Sequence, residues 1–163
     1  MSDGTERAGV RPADTEVSMT ELVLPNDTNL LGNLLGGRLL HWIDIVGALA
    51  ATRHARKPVA TVSIENVYFR HPVHNGEMVM LKARVIWAGR TSIKVLVRVR
   101  SENMYTGAVI ATNDALLTYV AMDESRKTCP VPRIQPDTEE DARYYSAAQA
   151  EYEKLKAARE SRQ

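Results

Sequence analysis

The sequence predicts an α+β domain in which an antiparallel sheet wraps around one long buried helix. Residues 36–54 are helical by length and residue type and are apolar on nearly every side, which is typical of a buried helix. The four segments that follow have the character of strands and are joined by connections of hairpin length. A helix followed by successive antiparallel strands separates the two kinds of structure, as in α+β domains.

The strand assignments rest on side-chain alternation with a period of two residues. The segments assigned as strands are 16–24, 59–70, 79–87, 93–100 and 108–122. The third and fourth of these are joined by Ala88-Gly89-Arg90, which is a hairpin signal. In the second, the apolar residues change from even-numbered to odd-numbered positions, which predicts a bulge near Asn66. The last is apolar on both faces, as expected of a central strand.

Length, composition and charge exclude several classes of protein. The chain has 163 residues, enough for one domain, and its net charge of +1 gives no general attraction to nucleic acid. The one cysteine, Cys129, excludes an intramolecular disulfide and a cysteine-rich zinc site. Residues 1–15 lack the apolar core of a secretory signal, and the longest apolar run, 39–51, is shorter than the ~20 residues that cross a bilayer. We therefore expect a cytoplasmic protein without a membrane span.

Glycine, proline and charge divide the chain into three parts. We expect a disordered leader over 1–15, one folded domain over 16–136 and a C-terminal helical tail over 137–163. The domain ends in a connector, 124–136, whose three prolines continue neither a strand nor a helix. The tail opens with a capping residue followed three positions later by Glu140 or Asp141, which is a helix start signal.

Gly36 and Gly37 stand at the predicted start of the long helix. Glycine lets a ligand approach the backbone closely, and the N–H groups of a first helical turn can bind a negatively charged oxygen. The alternative is that both glycines serve a tight turn.

Asp44 lies in the middle of a run that otherwise has the composition of a core. An unpaired buried carboxylate is costly, so this residue needs a partner or a function. His41, three residues earlier on the same side of the helix, is a possible structural partner. The other interpretation is a general base or nucleophile about two turns from the helix start.

The remaining polar residues give weaker signals. Asn33 alone would be a turn former. His71 and His74 have a spacing that resembles a metal site, but Pro72 lies between them and no third ligand is nearby, so we expect no metal. Cys129 has no nearby histidine and is not expected to be a catalytic thiol.

Several motifs in order resemble hotdog-fold acyl-CoA thioesterases, specifically the bacterial acyl-CoA hydrolases and the brain-type cytosolic acyl-CoA hydrolase family. The longest is Asp27-Thr28-Asn29-x-x-Gly32-Asn33-x-x-Gly36-Gly37-x-x-x-x-x-x-Asp44. Further segments that fit are Thr52-Arg53-His54, Phe69-x-x-Pro72-Val73, Gly89-Arg90-Thr91-Ser92 and Ser101-Glu102-Asn103-x-x-Thr106-Gly107. The likeness covers about residues 18–135, plus the Glu-rich tail.

The resemblance implies a hotdog fold, with a five- or six-stranded antiparallel sheet around the helix that carries Asp44. It also implies homodimers paired edge to edge into a continuous sheet, gathered as a trimer of dimers into a homohexamer. The site would lie at the dimer interface, with Asn33 of one chain facing Asp44 of the other.

The implied reaction is hydrolysis of fatty acyl-CoA to free fatty acid and coenzyme A. Asp44 would act as general base or as a nucleophile that forms an anhydride. The Gly37 N–H would polarise the carbonyl and Asn33 would orient the water or the thioester.

Coenzyme A carries phosphates, so we expect hydroxyl and cationic groups along its path. The residues expected to bind it are Gly36, Arg53, His54, Arg90, Thr91 and Ser92. The coenzyme A thioester is the substrate, and no separate cofactor is expected.

Two alternatives remain from the sequence. One is a hotdog hydratase acting on an enoyl thioester, although such sites usually need an Asp–His pair at the loop-to-helix junction. The other is a non-catalytic acyl-CoA binding or sensing protein.

Overall fold

The computed structural model describes residues 9–65 and 67–162 and contains one antiparallel sheet and two long helices. In chain order the elements are β1 (Val17–Leu22), α1 (Gly36–Ala55), β2 (Val59–Glu65), β3 (Met78–Ala88), β4 (Ser92–Glu102), β5 (Val109–Ala121) and α2 (Glu139–Glu160). The predicted α+β class, the central helix and the order of the elements are confirmed. The second strand is shorter than predicted, because it ends at Glu65.

The sheet has the strand order β1-β3-β4-β5-β2, and every pairing is antiparallel. The three long strands occupy the centre, which places the short strands β1 and β2 at the two edges. This sheet wraps around α1, as in the hotdog fold that the resemblance implies.

Alternation along the central strands directs one row of apolar side chains toward α1. The helix contributes Leu39, Ile43 and Val46 to this core, and each is at most 3% exposed. Strand residues pack against them, including Val85, Val95, Val97 and Leu117. Burial of these side chains holds the helix against the concave face of the sheet.

The far side of α1 is less covered than its composition predicts. Ile45 and Leu49 are 38% and 49% exposed, because a single sheet covers the helix from one side. Val62 and Ile64 on the edge strand β2 are exposed as well. The helix and this edge therefore leave apolar surface uncovered in one chain.

Helix α2 covers the outer face of the sheet. Its first turn is capped by Thr138, whose hydroxyl accepts a hydrogen bond from the Asp141 N–H at 3.1 Å, as the predicted start signal implies. Arg84 and Arg98, which project from the outer face, both form ion pairs with Glu140. These two arginines of the outer face are thus bound by a carboxylate of α2.

The pairing of β2 with β5 contains a register shift. The β2–β5 register shifts between Thr61 and Ser63, and the predicted position, Asn66, lies outside the described residues. No helix in the described part of the chain is long and apolar enough to cross a membrane.

Both ends of the domain contact the sheet and helices. Of the expected leader, residues 1–8 lie outside the described residues, but Val10 bridges to Ile134 of the connector. Thr15 is fully buried, and its hydroxyl accepts a hydrogen bond from the Val85 N–H at 2.8 Å. Cys129 is 7% exposed and belongs to the core. The boundaries proposed at residues 15 and 136 stay predictions.

Candidate active site

The loop before α1 is shaped by its own polar side chains. The Asp27 carbonyl accepts from the Leu35 N–H at 2.8 Å, and its carboxylate lies 3.2 Å from Nε of Arg38. The Asn29 Oδ1 accepts from two backbone N–H groups, those of Leu31 at 2.9 Å and Asn33 at 3.2 Å. These contacts fix the loop at the point where the helix begins.

Gly36 and Gly37 are the first two residues of α1. N–H groups at these positions have no acceptor within the helix, and the helix dipole adds partial positive charge there. A Cβ on Gly36 would lie 3.1 Å from the ring of Phe69, whereas a Cβ on Gly37 would meet no atom within 4 Å. The approach to Gly37 is therefore open to a ligand.

Asp44 is half-buried on α1, and two hydroxyls reach the same oxygen of its carboxylate. Thr61 donates to Oδ1 at 2.8 Å, and the Tyr119 hydroxyl lies 3.1 Å from the same atom. Burial and the neighbouring carboxylate raise the pKa of the Tyr119 phenol, so this hydroxyl keeps its proton. His41 is exposed and makes no hydrogen bond to Asp44 in the described residues, so the predicted structural pair is not formed.

Asn33 lies in the loop and pairs with His74 across an isolated bridge. The Asn33 Oδ1 and the His74 Nδ1 are 2.8 Å apart. Within the described residues of one chain, no hydrogen bond joins Asn33 to Asp44, and each has other partners. The prediction concerns Asn33 of one chain and Asp44 of another.

The predicted coenzyme A residues separate into two groups. Thr91 and Ser92 line a groove of about 420 Å³ between the outer sheet face and α2, which we call the outer groove. Lys156 and Arg159 of α2 line it too. Arg90 is exposed in the β3–β4 hairpin beside it. This groove and Asp44 lie on opposite faces of the sheet.

Arg53 and His54 are occupied by contacts within the chain. The Arg53 guanidinium donates to the Glu16 carbonyl. His54 is 4% exposed, its Nε2 lies 2.8 Å from the Pro132 carbonyl oxygen, and burial lowers its pKa. His54 is therefore enclosed within the chain, and its role in coenzyme A binding stays a prediction.

Sequence reasoning missed Thr61 and Tyr119. They lie 17 and 75 positions from Asp44, and neither stands in a motif. The β2–β5 register pairs Thr61 directly with Tyr119.

Among the described residues, no group of three or more His, Cys, Asp or Glu side chains is arranged to hold a metal ion.

Comparisons with known proteins agree on the family. A family model of the thioesterase superfamily matches residues 31–108. The uncharacterized acyl-CoA thioester hydrolase YkhA of Bacillus subtilis is 36% identical over 135 residues, which are 83% of this chain and 78% of that protein. The crystal structure of an apo-hexameric acyl-CoA thioesterase is 42% identical, with a TM-score of 0.86 over 92% of this chain and 96% of that one.

An acyl-CoA hydrolase from Staphylococcus aureus is also similar. Its structure, in complex with butyryl coenzyme A, coenzyme A and coenzyme A disulfide, is 28% identical with a TM-score of 0.83 over 94% of each chain. Solved variants of it carry alanine in place of an aspartate, an asparagine or a threonine.

The fold and the loop-to-helix site define this protein as a hotdog-fold thioesterase. More specifically, the chain belongs to the family of acyl-CoA thioester hydrolases.

Proposed function

We propose that this protein hydrolyses fatty acyl-CoA to a free fatty acid and coenzyme A, with Asp44 as the reacting carboxylate. The observation that carries the proposal is the Asp44 carboxylate held through one oxygen, on the helix that begins at Gly36-Gly37. The family membership favours hydrolysis over the hydratase and sensor alternatives.

The reaction uses two features of α1. Asp44 takes a proton from water as that water adds to the thioester carbonyl carbon, or its own oxygen attacks that carbon to form an anhydride that water then opens. Negative charge develops on the carbonyl oxygen, and the Gly37 N–H faces it. Loss of one such donor costs about 10²–10³ in kcat in other enzymes. In the first route the carbon–sulfur bond then breaks, and the proton that Asp44 took from water passes to the leaving thiolate. In the second route this bond breaks as the anhydride forms, and the thiolate takes its proton from the water that opens the anhydride.

The loop supplies two amides that can orient the water or the thioester, Asn33 and Asn29. Spacing favours Asn29. The asparagine, aspartate and threonine replaced in the S. aureus hydrolase are fifteen and seventeen positions apart. In this chain Asn29, Asp44 and Thr61 have the same two spacings. Asn33 would then hold the loop through His74.

The site is proposed to be shared between subunits. The edge strand β2 carries exposed Val62 and Ile64, and the uncovered side of α1 carries Ile45 and Leu49. Pairing of two β2 edges would cover this surface and bring the loop asparagine of one chain toward Asp44 of the other. The hexameric relative supports a trimer of such dimers. The cytoplasmic location stays a prediction.

Coenzyme A is proposed to contact Gly36 at the α1 start of one subunit and Arg90, Thr91 and Ser92 in the hairpin of another. Within one chain, the outer groove and Asp44 lie on opposite faces of the sheet. The two hydroxyls line the outer groove, and Lys156 and Arg159 add positive charge there. Arg53 stays a weaker candidate, because its guanidinium already binds the Glu16 carbonyl.

The test is thiol release from acyl-CoA thioesters of short to long chain, by the wild type, Asp44→Ala and the matched control Asp137→Ala. We expect turnover in the wild type and the control, and a loss of about 10²-fold or more in Asp44→Ala. Light scattering checks that the oligomer is intact. A wild type that binds acyl-CoA without turnover would instead indicate the sensor function.

A further inference from the structure

Tyr119 lies behind Asp44 and is fully buried. It is paired with Thr61 in the antiparallel β2–β5 ladder. Residues directly opposite each other in such a ladder project their side chains to the same face of the sheet. Both hydroxyls therefore face α1, and they meet at the Asp44 carboxylate.

The Tyr119 hydroxyl lies 3.0 Å from the Asp44 carbonyl oxygen and 3.1 Å from Oδ1. A phenol has one proton to donate, and an ionised carboxylate is the stronger of these two acceptors. Thr61 donates to the same Oδ1 at 2.8 Å. In residues 9–65 and 67–162, both side-chain hydrogen bonds to Asp44 thus engage Oδ1, and Oδ2 keeps its lone pairs for the substrate.

Gly47 provides an independent observation. It is a buried glycine in the interior of α1, where glycine is less favourable than alanine by about 1 kcal/mol. A Cβ at this position would overlap the Tyr119 hydroxyl oxygen and lie 3.3 Å from Cζ of the ring. The absence of a side chain at Gly47 makes room for this hydroxyl.

We infer that Tyr119 is a positioning residue for hydrolysis, whose hydroxyl, together with that of Thr61, orients the Asp44 carboxylate so that Oδ2 faces the thioester. The inference rests on the function proposed above. Tyr119 is fully buried, so it acts through Asp44 and has no contact with the acyl-CoA itself.

Tyr119→Phe tests this, because it removes the hydroxyl and keeps the ring. Loss of a hydrogen bond to a charged group predicts a fall in kcat of about tenfold or more. KM is expected to stay within about twofold, since substrate binding is not touched. Tyr145→Phe removes the same atom from a tyrosine of α2 and is expected to change neither constant. A merely structural role would not produce this division between kcat and KM.

A second pair of variants covers the case in which Tyr119→Phe folds poorly. Gly47→Ala displaces the hydroxyl and is expected to lower both kcat and the unfolding temperature. Adding Tyr119→Phe to Gly47→Ala is expected to recover part of the unfolding temperature and none of the kcat.

Two results overturn the inference alone: an active wild type with unchanged kcat in Tyr119→Phe, or a loss confined to KM. A wild type without turnover on any acyl-CoA overturns the proposed function as well, so the two failures are distinguishable.

Discussion

The ring of Phe69 lies over Gly36, with its Cζ 3.1 Å from the position that a Cβ of residue 36 would occupy. The neighbouring Gly37 faces open space. Two adjacent glycines at one helix start thus have different neighbours, and substitution separates a packing role from a role in the reaction.

Gly37→Ala is expected to keep or slightly raise stability, because alanine reduces the freedom of the unfolded chain and meets no atom here. Its methyl group would obstruct a carbonyl oxygen approaching the N–H, so kcat is expected to fall about tenfold or more. Gly36→Ala forces Phe69 to move and is expected to have the lower unfolding temperature of the two. Thermal unfolding and steady-state kinetics on both variants check this. Full activity in Gly37→Ala would argue against the proposed polarising N–H.

Asn29→Ala and Asn33→Ala distinguish the two loop amides. Asn29 has the spacing to Asp44 found in the S. aureus hydrolase, so its loss is expected to lower kcat at least tenfold. Asn33→Ala removes the hydrogen bond to His74 and is expected to lower the unfolding temperature more than kcat. The measurement is kcat and unfolding temperature for each. The reverse ranking would restore Asn33 as the orienting amide.

Glu140→Gln tests the attachment of α2. Hydrogen bonds from Arg98 and then Arg84 lower the pKa of Glu140 to about 2, from an ordinary value of 4.5. Because the pKa is lowered in the folded protein, the ionised Glu140 stabilises the fold fully above pH 4.5. This contribution is lost as the pH falls through about 2. The side chain is partly exposed, so we expect a cost of about 1 kcal/mol at pH 7, or about 2–4 °C.

The difference in unfolding free energy between the wild type and Glu140→Gln should disappear as the pH approaches 2. Glu139→Gln is the matched control, since that side chain is 91% exposed and is expected to change little. A stability difference that is the same at pH 7 and pH 2 would contradict an ionic origin of the stabilisation by Glu140.

Ile64→Lys places a charge on the exposed edge strand β2, which disfavours strand pairing between chains. Light scattering is expected to show dissociation of the dimer. The thiol-release assay is expected to show loss of activity. Leu22→Lys makes the same change on the opposite edge strand, β1, and is expected to leave the β2 pairing intact. A dimer that survives Ile64→Lys would exclude the proposed β2 interface.

The fold could be predicted from the sequence where one periodicity dominates. Alternation in β3 and β4 located both strands to within a residue or two, and Gly89 located the turn. The incomplete burial of Ile45 and Leu49 could not be predicted, because composition shows that a surface is apolar and not what covers it. The pairing of Arg84 and Arg98 with α2 could not be predicted either, because it depends on long-range packing.

The candidate site could be predicted from the sequence only in part. Asp44 is conspicuous because a carboxylate is rare in an apolar helix. Tyr119 is inconspicuous because it lies in a strand that is apolar on both faces, and only the register with Thr61 brings the two hydroxyls together. The burial of His54 could not be predicted, because a basic residue near a helix end gives no sign of whether a proline-rich connector covers it.

The burial of Cys129 has a practical consequence. It is the chain's one thiol and lies in the core, 7% exposed. A chromogenic disulfide reagent added to the folded protein should therefore react with released coenzyme A far faster than with the protein. The same reagent without substrate should become a probe of opening, since colour from Cys129 would appear only as the core exposes it.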